Sequence, residues 1–148
     1  MYCERHLRAR KDMDITLEQP ARARLIAADQ ELPVPATLRY TGADPLAVHI
    51  DFPPEVALDG ERVTWTFARA LLEDGLTGPA GSGDVHVWPC GRARTVLELH
   101  SPHGLALLQF DTAALRRFLL RTFAVVGTGR EDVGAAVEQG LASLFGGV

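Results

Sequence analysis

The chain has 148 residues, 47% of them hydrophobic and 23% charged, with a net charge of −4. That is the size and balance of one globular domain with a single core. No apolar run approaches the ~20 residues a membrane-spanning helix needs, and the acidic balance argues against nucleic acid, whose phosphates favour a basic surface.

The charge is unevenly spread. Residues 1–12 hold Arg5, Arg8, Arg10 and Lys11 against Glu4 and Asp12, which leaves −6 on the rest. This basic head has no apolar segment behind it and does not read as a secretory signal. It is expected to be a disordered arm outside a single domain of residues 13–148, and Met13 is a candidate start. The two cysteines, Cys3 and Cys90, are too few for a disulfide scaffold. With Cys3 in the head, the remaining lone thiol fits a reducing cytoplasm.

Period-2 patterning dominates the first two-thirds. "ARARLIAAD" alternates Ala21, Ala23 and Leu25 with Arg22 and Arg24, a strand with one wet face. "PVPATLRY" (Pro33–Tyr40) is a second strand, and its prolines remove ladder donors, so its start belongs at an edge or bulge. "LAVHIDF" (Leu46–Phe52) is a third, followed by a turn with an Asp59-Gly60 hairpin signal. "RVTWTFA" places Val63, Trp65 and Phe67 on one face. "RALLEDGL" then changes period and predicts a short helix capped by Gly75.

"GPAGSG" reads as a flexible loop. "DVHVWP", "TVLELHS" and "LALLQFD" supply three more strands, the last two joined as a hairpin by "SPHG". Asp111 or Thr112 is a candidate N-cap for a helix over about 113–125. Its core stripe is Leu115, Phe118, Leu119, Thr122 and Val126, with Leu120 and Phe123 off that stripe. A second helix is expected over roughly 133–145. The expected architecture is α+β: about seven mostly antiparallel strands followed by two C-terminal helices.

Candidate chemistry is sparse. "GSGDVHVWPC" gathers Asp, His, Trp and Cys, but strand alternation puts His86 and Trp88 on one face and Val85 and Val87 on the other. Cys90 lies past Pro89, and no orienting group for a Cys–His pair is predicted. His86, Cys90, His100 and His103 lack the close ligand pairs of zinc sites. No phosphate-binding glycine motif or nucleophile elbow occurs. No catalytic residue, metal or cofactor is expected.

The arginines of the long helix stand out instead. Arg117 and Arg121 are one turn apart, where like charges repel. Beside Leu120 and Phe123 they suggest a protein–protein contact. Arg116, Arg117, Arg121 and Trp88 are the candidate partner-binding residues.

The runs "LPVPATLRYTGADPLAVHIDF", "WTFARALLEDGL", "GSGDVHVWP", "SPHGLALLQF" and "FLLRTFAVVGTGRE" follow in order the pattern of the SsgA-like proteins of actinomycetes. The resemblance covers nearly all of residues 20–131. It implies a non-enzymatic regulator of sporulation-specific cell division, cytoplasmic and acting at the septum. Such a member recruits the GTPase FtsZ to future septum sites, promotes its polymerisation and helps tether the ring. A paralogous SsgA-type protein positions it, and the alternative is that this chain is itself the SsgA-type activator. The resemblance also implies a fold similar to the Whirly type, assembled as a homotrimer. That likeness brings in single-stranded nucleic-acid binding as a further alternative, which few aromatics and the net charge disfavour.

Overall fold

A computed structural model describes residues 15–56 and 60–130. Both the basic head and the helix expected over 133–145 lie outside them.

Alternation at the start of the chain produces a long hairpin. β1 (Thr16–Ile26) pairs along its whole length with β2 (Glu31–Thr41), from Thr16 opposite Thr41 to Ile26 opposite Glu31. The wet face is as expected, with Arg22 and Arg24 exposed and Ala23 fully buried. β1 begins five residues earlier than "ARARLIAAD", because Leu17 and Gln19 continue the same inward alternation. The prolines of β2 fall outside its Thr37–Arg39 pairing with β3 (Ala47–Phe52). The missing donors at Pro33 and Pro35 therefore cost that ladder nothing.

β3 pairs in turn with β4 (Val63–Ala68), and a 3-10 turn over Pro54–Val56 lies between them in sequence. β4 runs directly into α1 (Arg69–Gly75). The segment "GPAGSG" is not a loop throughout: Ala80–Ser82 form β5, an added strand on β6 (Val85–Cys90). Backbone pairing, rather than any apolar side chain, makes this strand. Among the described residues the sheet thus has eight strands, where about seven were expected. β7 (Arg94–Ser101) and β8 (Gly104–Asp111) form the expected hairpin, closed from Ser101 to Gly104.

The strand order is β4-β3-β2-β1-β8-β7-β6-β5. Among the described residues the ladder pairing between its two halves is limited to Arg24 and Leu25 of β1 opposite Gln109 and Leu108 of β8. Both halves feed one hydrophobic core, in which Leu38, Tyr40 and Ile50 join Val87, Leu97 and Phe110. α2 (Thr112–Val125) covers that core with Leu115, Phe118, Leu119 and Thr122, as its spacing predicts. Val126 is only partly buried.

Two helix-end expectations change. Asp111 occupies the N-cap position of α2 but makes no capping bond; its carboxylate lies 3.3 Å from Arg94. Gly75 is the last residue of α1, and the C-cap is Leu76 in a right-handed conformation. The glycine is needed for space: a Cβ there would overlap the side chain of Val87, which is fully buried.

Candidate partner-binding surfaces

"GSGDVHVWPC" builds a surface, in the way strand alternation predicts. Val85 and Val87 enter the core while His86 and Trp88 stay half-buried on the opposite face of β6. Glu98, across the ladder on β7, ties that face together. It accepts from the Trp88 indole N–H at 3.4 Å and lies 3.0 Å from His100 Nε2. His86 sits edge-on to His100, with ring centroids 5.5 Å apart, and its Nε2 lies 3.1 Å from the Gly83 carbonyl. Beneath them Val96 is almost fully buried outside the main core cluster. Trp88 is therefore a packed, hydrogen-bonded residue rather than an open stacking platform. Cys90 is exposed, and the amide of Gln109 lies 3.9 Å from its Sγ. Among the described residues no group of three or more His, Cys, Asp or Glu is arranged to hold a metal ion.

A second polar network covers the same sheet face on β2, β3 and β4. Arg39 grips Asp51 through two contacts, 2.8 and 3.2 Å, and Thr64 donates to the same carboxylate at 2.6 Å. Hydrogen bonding to Arg39 holds the Asp51 carboxyl below its usual range. Next to it, buried His49 meets the Thr66 hydroxyl at 2.8 Å through Nδ1. Burial, then the nearby Arg39 charge, pushes the His49 imidazole below its ordinary value, which favours the neutral form. Asp44 stands 3.9 Å from His49 Nε2, beyond hydrogen-bond range. Thr66, His49 and Asp44 thus lack the short second contact that orients a catalytic imidazole. None of these residues stood out in the sequence. The polar positions alternating with core residues along β2 and β3 were the available signal.

The α2 arginines are placed as anticipated. Arg116, Arg117 and Arg121 are exposed, around a Leu120 that is 68% exposed. The helix carries no acidic residue. Arg121 also donates to the Gln19 side chain at 3.2 Å, and Gln19 reaches the Ala114 carbonyl at 3.0 Å, fastening α2 to β1. Phe123 departs from expectation. It is partly buried, with the Arg69 guanidinium 4.5 Å from its ring centroid. Trp88 and the arginines do not form one site, because α2 packs on the core side of the sheet and Trp88 faces the other way.

Fold and surface together define a small α+β scaffold: among the described residues, an antiparallel sheet, two α-helices, and polar clusters that brace one sheet face. Residues 34–131 match the family described as Streptomyces sporulation and cell division protein, SsgA, and the chain belongs to that family. It is 50% identical over 135 residues to the sporulation-specific cell division protein SsgB of Salinispora tropica, spanning 86% of this chain and 94% of that one. It is 43% identical over 124 residues to the protein of the same name from Streptomyces coelicolor, spanning 82% and 88%. A solved S. coelicolor SsgB structure, studied for mutations that correlate with longitudinal division during sporulation, superposes with a TM-score of 0.71. It covers 80% of this chain and 94% of its own, at 43% identity. The crystal structure of an SsgA-like sporulation-specific cell division protein from Thermobifida fusca gives 0.73, at 32% identity over 88% and 96%. Among the described residues no helix is long and apolar enough to cross a membrane.

Proposed function

We propose that this protein acts in sporulation-specific division as the family member that recruits FtsZ to future septum sites. It promotes FtsZ polymerisation and helps tether the ring, working at the septum as a homotrimer positioned by a paralogous SsgA-type protein. The observation that carries this reading is its match to SsgB proteins, up to 94% of a relative's length at 50% identity. The physical logic is avidity: three linked weak sites bind a filament far better than a lone subunit, which shifts FtsZ towards polymer. The α2 face supports a protein partner, since exposed Arg116, Arg117 and Arg121 surround an apolar anchor, Leu120. A carboxylate-bearing surface suits it.

The test is sedimentation of purified FtsZ with GTP, with and without this protein. More FtsZ in the pellet, with this protein travelling with it, is the expected result. An unchanged pellet with this protein left in the supernatant rules out direct recruitment and favours the SsgA-type role.

A further inference from the structure

The sheet ends in β4 on one side and β5 on the other, yet the two ends share one open cleft. Thr66 and Ala68 of β4, Ala80 and Gly81 of β5, and Asp74 of α1 all line it, with Asp84 beside them. Among the described residues its charged lining is two carboxylates and no cation.

The β4 backbone meets the cleft in a defined register. The Arg69 amide donates to the Leu46 carbonyl at 2.8 Å. Alternation along an antiparallel ladder then makes Phe67–Val48 and Trp65–Ile50 the bonded pairs. The N–H and C=O groups of Thr64 and Thr66, and the N–H of Ala68, therefore point away from β3. Among the described residues they have no backbone partner. The opposite wall carries Ala80, Gly81 and Asp84. Gly81 has φ of 136°, and a Cβ there would meet the Val85 carbonyl oxygen at 2.5 Å and His86 Cα at 2.7 Å. Only glycine fits there, because a side chain would run into the backbone of the paired strand β6.

We infer that this cleft receives an extended peptide segment of a partner protein, added as a strand along β4, with basic side chains directed to Asp74 and Asp84. Free main-chain groups on an edge supply affinity in this mode and the flanking charges supply selectivity. The inference stands independently of the FtsZ reading, which rests on the family match and the α2 face.

Ala68 offers a selective test. Its φ of −65° and ψ of 136° suit proline, and Phe67 before it is already in the extended conformation that a following proline requires. Ala68→Pro deletes one outward N–H and leaves the β3 ladder intact. A fluorescein-labelled seven-residue peptide alternating Val and Arg is titrated with the full chain and read by polarisation. A Val/Glu peptide serves as the comparison. The Val/Arg peptide should bind and the Val/Glu peptide should not. Ala68→Pro, and Asp74→Asn with Asp84→Asn, should each weaken binding roughly tenfold without moving the unfolding midpoint. Ala68→Gly keeps the N–H and should bind like the parent. Equal binding by Ala68→Pro would reduce the effect to unspecific charge attraction and overturn the strand-addition mode. Absence of binding by the parent overturns the inference, as does binding that appears only after residues 1–12 are removed. The latter would give the cleft to this chain's own basic head.

Discussion

Nη1 of Arg69, the first residue of α1, lies 2.6 Å from the carbonyl oxygen of Val126, the C-cap of α2. The guanidinium also sits 4.5 Å from the Phe123 ring centroid and 5.2 Å from that of Tyr40. Arg69 is 2% exposed, so its desolvation has to be offset locally. A helix C-terminus offers unsatisfied carbonyls and the negative end of the helix dipole, and two ring faces add cation–π attraction. One cation thereby fastens the short helix that leaves β4 to the end of the long helix.

Replacing Arg69 by Met keeps the apolar stem but leaves the Val126 carbonyl without this donor. The variant should lose about 2–4 kcal/mol of unfolding free energy in urea. Arg69→Lys should lose less, because it keeps the charge without the planar stack. Equal midpoints for Arg69→Met and parent would show the tie to be idle.

Gly75 makes a second, purely steric link between α1 and the sheet. A Cβ at this position overlaps Cγ1 and Cβ of Val87, which cannot move aside because its side chain is fully buried. Gly75→Ala should therefore destabilise by about 1–3 kcal/mol, although alanine is the better helix former. Adding Val87→Ala should recover part of that loss, and a double-mutant cycle in urea reads the coupling. Independent, additive losses would mean that α1 shifts without strain.

How much of this was legible follows from what each signal reports. Alternation locates strands whose one face is dry, so β1, β6, β7 and β8 could be read, and the 3.6-residue stripe found the buried face of α2. β5 was missed because Ala80, Gly81 and Ser82 carry no hydrophobic period; pairing with β6 alone makes them a strand. Phe123 looked like a surface residue because its partner Arg69 lies far away in sequence. The Arg39–Asp51–Thr64 and His49–Thr66 clusters depend on the register between β2, β3 and β4, which periodicity within one strand does not contain. The same limit applies to Trp88 and the arginines: neighbours in a list of candidates, they occupy opposite sides of the sheet.

His49 should make stability pH-dependent. Its folded value lies below the ordinary 6.5, chiefly through burial, so the unfolded chain takes up a proton more readily than the native one. Stability from this group is complete above about pH 6.5 and falls as pH drops through that value towards the folded one. Arg39 repels the protonated imidazole, while Asp44 and Asp51 oppose that effect from β2–β3. Thermal unfolding of the parent between pH 7.5 and 5.5 should show a falling midpoint, and His49→Gln should flatten that slope. Parallel slopes would remove His49 as the cause. The Asp51 contribution begins to fail only below about pH 3.8, since its folded value lies beneath that, so the two windows separate.

The α2 arginines should matter for partners and not for the fold. Arg116 and Arg117 are exposed and have no partner side chain among the described residues, whereas Arg121 donates one part-buried hydrogen bond to Gln19. Reversing Arg117 and Arg121 to Glu replaces two cations by two acids around Leu120. It should cost no more than about 1 kcal/mol of stability, the scale of one partly exposed hydrogen bond. Binding to a carboxylate-bearing partner surface should weaken at least tenfold, about 1.4 kcal/mol, and do so mainly through a slower association rate at low salt. Surface-plasmon measurements with immobilised FtsZ, repeated at two salt concentrations, separate the outcomes. A folded double mutant with unchanged rates takes this helix face out of the FtsZ contact. A loss confined to low salt shows steering without close contact, whereas a faster dissociation rate shows that the arginines are paired within the bound interface.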